Sequence, residues 1–484
     1  MDTLSKKNIK TKVKSTKPVK STIYKKPQKK SIKKSVKKSV KKSVKKSVKK
    51  SNELIKKNQK KSKKNIGKLT KSKINPCDWI YLDNTKSSPM CARAENIYKK
   101  NIKSTSMTPE TKSEHLKKSK DYLLSVCNTD DEKYTVYFTS GQIESNRLIL
   151  CCAVNAYRKI RKAMPHVVIS SSEHNSILTY AQSLYDSDQI ELSIIKPNSY
   201  GCILSNTVAD AIKTTTCLVL ITYINHELGS VNNIEKISGI LHEKRIPLHS
   251  DCTHLFGRHK LDLQKTKIDS VSITFDKING PVAVGALIIN NNFFSGYKLN
   301  EHSTTLNGKR QYDIPSIISS IEATKASVSN RKLKNKTLSK FRNCIIDTLG
   351  KRCQIMTFAN FMQSDAPPLD ETTKSKNKLV ILGPPIDNIS YYTPSILSLV
   401  IITEKRRTAT EIQKSLIDKG IMIGLPNLNE CDNDAKDEEK CVLNMYDEIG
   451  MPKDAQEFII RISLSDDLTQ NKINKLNDAL KAAT

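Results

Sequence analysis

The sequence predicts an α/β protein with a large domain built on a mainly parallel sheet and a smaller C-terminal α+β domain. Three observations lead there. Strand-like runs alternate with helix-length stretches from Cys77 onward. Polar residues that can do chemistry interrupt the chain just past several strand ends. The excess charge is confined to one N-terminal tail, so the remainder has the composition of a chain that folds.

The 484 residues carry a formal charge of +34, from 82 Lys+Arg against 48 Asp+Glu. Residues 1–75 hold 30 lysines and two acids, Asp2 and Glu53, a net of +28. Residues 76–484 are left with +6. From Ser31 to Ser51 the tail repeats Ser-x-Lys-Lys, with Ile32, Val36, Val40, Val44 and Val48 in second place. Lysines four apart repel one another on a helix, and a single valine stripe buries little, so disorder is expected. Such a tail suits a nucleic acid or another polyanion, bound by counterion release without reading sequence. Nuclear import and simple solubilisation are competing readings of the same lysines.

Several function classes drop out. No apolar run approaches the roughly 18–20 residues of a membrane span. No apolar signal core follows the basic start, and the tail lacks the arginines of a mitochondrial leader. The expectation is an intracellular protein, cytoplasmic or nuclear, or one of a host cell or virion if its AT-rich-looking composition is viral. Twelve cysteines without a Cys-x-x-Cys read as reduced thiols, and no metal site is expected.

Strands are expected at Tyr134–Thr139, His166–Ser170, Ile190–Ile195, Cys217–Ile224, Ile246–Ser250, Ser270–Phe275 and Ala286–Ile289. Helices are expected at Glu144–Lys162, Ser205–Lys213 and Asn233–Lys244. One long helical pattern, about Pro315 to Leu349, leads into a region with strands Ile396–Ile402 and Glu457–Leu464 and helices Thr408–Lys419 and Thr469–Ala482. The resulting domains are a tail, 1–75, a large domain, 76–330, and a small one, 331–484. Asp365–Lys378 and Asn427–Lys440 read as polar surface loops.

In an open α/β sheet a ligand binds beyond the carboxyl ends of the strands. Reading there gives Ser140-Gly141 with Glu144-Ser145-Asn146, then Glu173-His174, Asn225-His226-Glu227, Asp251 and Asp276-Lys277. A Gly turn opening a helix offers amides to a phosphate, a Lys amine forms an imine with an aldehyde, and an Asp pairs with a ring nitrogen. That set fits pyridoxal 5'-phosphate.

The same residues carry a resemblance to NifS-like cysteine desulfurases of the class V aminotransferase superfamily, from about Tyr81 to the C-terminus. Tyr81-Leu82-Asp83-Asn84-Thr85-Lys86-Ser87-Ser88-Pro89 resembles the family's Tyr-Leu-Asp-Asn-Asn-Ala-Thr-Thr-Pro. Phe138-Thr139-Ser140-Gly141-Gln142-Ile143-Glu144-Ser145-Asn146 is similar to Phe-Thr-Ser-Gly-Ala-Thr-Glu-Ser-Asn. Ser172-Glu173-His174, His249-Ser250-Asp251, Lys277 with Gly280-Pro281 and Gly285-Ala286-Leu287, and Arg461-Ile462-Ser463-Leu464 match further motifs.

The resemblance implies a homodimer in which pyridoxal 5'-phosphate is held by Gly141, Gln142, Ile143, His226, Asp251, His254, Thr274 and Lys277. Lys277 would carry the imine, Asp251 pair with the pyridine nitrogen, and His174 stack on the ring and move protons. Arg461 and Asn84 would bind the substrate, L-cysteine. Its sulfur would pass to a loop cysteine as a persulfide, leaving alanine; the acceptor beyond that is not specified.

The sequence also departs from the family at the site. Ile143 stands where a Thr would donate a hydroxyl, His226 for an Asn, His254 for a Gln, Ala283 for a Gly, and Asp276 for the His before the Lys. Asp313 replaces a Thr expected near a partner's phosphate. No Gly-Ser-Ala-Cys-Thr-Ser occurs; the loop position falls within about two residues of Cys431, with Cys441 as the alternative and a loop cysteine of no special role as the competing reading, while Cys151, Cys152 and Cys217 read as core. Two function classes therefore stay open: a cysteine desulfurase-like enzyme, and a NifS-like scaffold without the chemistry that binds a polyanion through its tail.

Overall fold

The computed structural model describes residues 79–102, 107–292, 311–363, 377–384, 391–426 and 445–484. The basic tail, Cys431, Cys441 and the polar loop 427–440 lie outside the described residues. Residues 74–484 cluster as one compact unit.

Thirteen strands are described: β1 (Ile80–Leu82), β2 (Tyr134–Thr139), β3 (His166–Ser170), β4 (Glu191–Ile195), β5 (Thr216–Leu220), β6 (Leu248–Asp251), β7 (Ser270–Thr274), β8 (Gly285–Asn290), β9 (Gln354–Thr357), β10 (Lys378–Ile381), β11 (Ile396–Ile402), β12 (Ile421–Ile423) and β13 (Ile459–Ser463). Seven of them form one sheet in the order β2-β8-β7-β6-β5-β3-β4. Neighbours run parallel from β7 through β4, and β8 is antiparallel to both β7 and β2. The sheet is mainly parallel, as its near-continuous apolar strands imply.

Alternation within those strands feeds two cores. Val168 and Val219 face a layer with Leu123, Ile234, Ile237 and Ile317. Val167, Ile169, Leu218 and Leu220 face the other, with Ile149, Leu150, Ile177 and Ala181. Helices thus cover both faces, Gln142–Arg161 and Asn175–Asp186 on one side, Pro109–Val126, Ile234–Glu243 and Ile314–Val328 on the other. This places the parallel strands' carboxyl ends at one rim.

The C-terminal part has its own four-stranded sheet, β13-β11-β10-β9. Ile80 and Leu82, from the first described strand, pack into this core beside Ile421 and Ile423. The apolar pattern expected to run unbroken from Pro315 to Leu349 is two helices, Ile314–Val328 and Arg331–Gly350. Asn330 breaks it with φ +56°. Asparagine tolerates that left-handed turn at small cost, and the sequence's helical period continues on either side of it. Asp313 caps the first of these helices by accepting from Ser316. Among the described residues no helix is long and apolar enough to cross a membrane. The nine described cysteines are unbridged.

Two glycine-type positions shape the rim. A Cβ at Gly285 would lie 2.7 Å from Gly141 Cα and 2.6 Å from the Ile273 carbonyl, so only glycine lets β8 pass the turn after β2. Ala283 has φ +58°, which costs a residue with a Cβ about 1–2 kcal/mol. Ala283→Gly should relieve that strain while adding unfolded-chain entropy, for a net gain of about 0.5–1 kcal/mol. Urea unfolding of the two proteins checks it; a loss of stability would contradict the strain.

Candidate active site

A cavity of about 900 Å³ opens where β2 and β7 end. Gly141, Gln142, Ile143, His174, Thr274 and Lys277, all anticipated from sequence, line it. Gly141 opens the twenty-residue helix Gln142–Arg161 without a side-chain cap. The helix's first amides are oriented as an anion site would need them. Lys277 sits in a short 3₁₀ turn, Asp276–Ile278, directly after β7. Its Nζ donates to the Lys86 carbonyl at 2.6 Å and to Asp276 Oδ2 at 2.7 Å. The pair is mostly shielded from solvent, with side chains 12% and 14% exposed.

Carboxylates occupy the anion end. Thr274 donates its hydroxyl to Asp276 Oδ1 at 2.7 Å, so the group expected to meet a phosphate is already committed. Glu144 reaches back to accept from the Ser140 amide at 2.6 Å. Ile143 presents an exposed side chain and no donor. Arg147 adds a cation to the same wall, its guanidinium 5.8 Å from the Tyr180 ring centre. An arginine there offsets the two carboxylates.

Asp251, His226 and His254 are not among the residues lining this cavity; the two histidines continue from His174 as a row of neighbouring rings. The rings of His174 and His226 are 5.7 Å apart and tilted, and those of His226 and His254 are 5.9 Å apart and stacked. Burial, then the neighbouring His174, pushes His226 down to about 3, and burial holds His254 well below the ordinary range. Both are neutral at neutral pH, so the 3.6 Å approach of His226 to Glu227 is no ion pair. Asp251 ends β6, its Oδ1 accepting from the Thr253 amide at 3.0 Å and its Oδ2 from Asn146 Nδ2 at 3.0 Å. Glu173, beside His174, is 3% exposed, and burial raises its carboxyl pKa well above the usual range.

The two residues expected to bind substrate are placed differently. Arg461, on β13, is buried and bound to Glu227 and to Asp83, the latter at 3.3 Å. Tyr446 donates to the other oxygen of Glu227 at 2.8 Å. Asn84 lines a separate cavity of about 740 Å³ with Trp79, Tyr81 and Ser465. Its Nδ2 is spent on the Ser463 and Tyr81 carbonyls at 2.7 and 3.3 Å. Asn84 therefore braces the first turn after β1 against β13 and does not reach the Lys277 cavity. The motif resemblance located it in the chain, but only packing decided which way it faces.

Four residues of the cavity wall escaped the sequence reading: Arg147, Leu148, Cys151 and Tyr180. Cys151 had been expected in the core with Cys152, yet it is only half-buried and faces the cavity. The signal was available. Ile143, Arg147 and Cys151 recur every fourth residue and so share one helix face, and Ile143 was already placed at the site.

The aminotransferase class-V family model matches residues 80–315. That stretch, just under half of the chain, resembles an aminotransferase class-V domain. Its relatives include cysteine desulfurase IscS of Plasmodium falciparum (isolate 3D7), 33% identical over 167 residues, which are 34% of this chain and 30% of that one. The mitochondrial cysteine desulfurase of Saccharomyces cerevisiae (strain ATCC 204508 / S288c) is 29% identical over 168 residues, 35% of this chain and 33% of the other. The matches thus span about a third of those two relatives' lengths. The fold reaches further: a solved structure described as a NifS-like protein superposes with TM-score 0.66 at 18% identity, covering 84% of this chain and 98% of the other. The mainly parallel sheet and the small C-terminal sheet are therefore those of a NifS-like fold.

Class-V domains of this kind work with pyridoxal 5'-phosphate. The residues present fit it. Lys277 offers an amine on the cavity wall, the Gly141 turn leaves helix amides without a side-chain cap, and Asp251 is a buried carboxylate held by two donors. The weak point of the fit is the pair of carboxylates, Asp276 and Glu144, at the phosphate end.

Proposed function

We propose that the protein is a pyridoxal 5'-phosphate-dependent, cysteine desulfurase-like enzyme that takes sulfur from L-cysteine and leaves alanine. The observation that carries this reading is the Lys277 amine, shielded on the wall of the cavity beside His174 and the open helix start. When bound, the cofactor would supply an electron sink that loosens bonds at the substrate Cα.

The chain's own groups would do the rest. Lys277 would hold the cofactor aldehyde, and its amine would serve afterwards as the base and acid at Cα. Asp251 would keep a proton on the pyridine nitrogen through an ionic pair. His174 would cover the ring, and Gly141, Gln142 and Thr274 would border the phosphate, with Arg147 balancing Asp276 and Glu144. His226 and His254 would back His174. Arg461 would meet the substrate carboxylate by exchanging it for one of its present carboxylate partners.

A protein thiolate would then attack the substrate sulfur. The S–S bond of a persulfide forms, the Cβ–S bond breaks, and its electron pair stays with the carbon skeleton, which takes up protons on the way to alanine. Cys431 is the proposed nucleophile, with Cys441 the alternative on the same stretch. A homodimer is the proposed assembly.

Reductive trapping tests the core of the proposal. The full chain incubated with pyridoxal 5'-phosphate and borohydride should carry the label on the peptide containing Lys277, and Lys277→Ala should show neither label nor visible absorbance band. Label on another lysine, or none, would falsify the assignment. Incubation with L-cysteine should release alanine and leave a persulfide that maps to Cys431; a map to Cys441 or Cys151 would move the nucleophile, and absence of both products would leave a cofactor-binding scaffold.

A further inference from the structure

Asn146 is fully buried on the helix that opens at the cavity, and its side chain meets four partners. Nδ2 donates to Asp251 Oδ2 at 3.0 Å and to Ser176 Oγ at 3.1 Å. Oδ1 lies 2.6 Å from Ser272 Oγ and 3.1 Å from His249 Nε2. Both donors and both acceptor sites of the amide are used. The amide joins β6, β7 and the helix Asn175–Asp186, none of which is its neighbour in sequence.

The polarity of these bonds can be derived rather than assumed. His174 Nδ1 accepts the Ser176 backbone N–H, so Ser176 Oγ must donate to it and accept from Asn146; Nδ2 therefore faces Ser176 and Asp251, and Oδ1 faces the other way. Oδ1 only accepts, so His249 must present a proton on Nε2. His249 Nδ1, 2.9 Å from Ser270 Oγ, is then the acceptor of that hydroxyl. On the other side, Ser176 Oγ accepts from Asn146 and turns its own proton towards His174 Nδ1 at 2.9 Å. His174 Nδ1 also accepts the Ser176 backbone N–H at 3.1 Å, a bond that can have only one direction. The proton of His174 is left on Nε2.

We propose that Asn146 is a positioning residue that imposes one hydrogen-bond polarity across the site, aiming Asp251 as a carboxylate and fixing the protons of His174 and His249 on Nε2. The consequence for the reaction rests on the cofactor reading above: His174 meets the ring and substrate as an N–H donor, and its Nδ1 is closed to proton uptake. Proton abstraction then falls to Lys277. The charge environment agrees. Burial lowers His249 to about 4 even with Asp251 beside it. The other titratable and charged groups acting on this cluster include Glu173, Cys252, His226, His254, Arg258, Lys277 and Arg461. Burial raises the pKa of Glu173 and Cys252 and lowers that of both histidines, in each case disfavouring the charged form.

The test reads tautomers directly. Full-length protein labelled with ¹⁵N-histidine should show His174 and His249, assigned by His174→Gln and His249→Gln, as neutral Nε2–H forms between pH 6 and 8, with or without cofactor. Either ring found with its proton on Nδ1, or as imidazolium near pH 7, overturns the proposal, and this arm needs no cofactor. Asn146→Asp keeps the shape but replaces the donor by an acceptor beside Asp251. His249 should then titrate at least about one pH unit higher, since a carboxylate now faces it. The visible band of the bound cofactor should change its pH dependence with it. An unchanged His249 titration in Asn146→Asp also overturns the proposal. Failure of the wild type to bind cofactor at all would sink the functional reading instead, leaving the tautomer result standing.

Discussion

Arg461→Ala is expected to cost about 3–5 kcal/mol of folding stability, the price of stranding a buried charge. Arg461 is 4% exposed and Glu227 3% exposed. Burial alone would lower the guanidinium's pKa, but Glu227, Tyr446 and Asp83 together raise it. Removing the cation leaves the Glu227 carboxylate with the Tyr446 hydroxyl, and leaves Asp83 without its main partner. Burial already pushes the Asp83 carboxyl up, so the loss should fall mostly on Glu227. Urea unfolding followed by circular dichroism reads the shift. The double variant Arg461→Met with Glu227→Gln should recover much of the loss, because the buried Glu227 charge is no longer stranded. A single-variant loss below about 1 kcal/mol would mean that the pair is already solvated.

The second large effect concerns pH. Asp269 precedes β7 and accepts from the Leu248 amide, the first residue of β6, at 2.9 Å. It therefore sets the register of the strand that ends at Asp251. Burial pushes its carboxyl up to about 7. The folded state holds this proton from the ordinary carboxylate range up to about pH 7, whereas the unfolded chain loses it near pH 4. The folded state binds more protons across that window, so stability must fall as pH rises through it. Asp269→Asn cannot ionise and escapes the fall. The stability of the variant relative to wild type should therefore rise by about 4 kcal/mol between pH 4 and 8. Parallel unfolding curves at the two pH values check the difference. The depressed histidines act in the opposite sense but are common to both proteins. A gap that stays constant with pH would show Asp269 to be ionised in the fold.

Both effects depend on contacts between residues far apart in sequence, and they mark the limit of what the chain discloses. β2, β3 and β11 are where periodicity put them, because an apolar run flanked by polar residues states its own length. Strand ends near 140, 174, 251 and 277 were legible for the same reason. The Gly turn, the Asp and the Lys fall at those ends in an order that the class-V match to residues 80–315 then explains. Less was legible wherever a side chain had to choose among neighbours. Asn84 sat in a recognisable motif, yet Ser463, far along the chain, turns it away from the cavity. Arg461 kept its motif and acquired Glu227 and Asp83 as partners.

What the sequence determined by itself is the kind of fold and the residues offered at the sheet's carboxyl rim, since strand and helix periods are local properties. The tertiary structure alone decided which of those residues meet. The order β2-β8-β7-β6-β5-β3-β4 lays strands distant in the chain side by side. That order brings Asn146 to Asp251 and His249, more than a hundred residues on, and fills a buried site where each polar atom must find a partner. Local periodicity has no term for that requirement; it is met only when the sheet closes over the helix that carries Asn146.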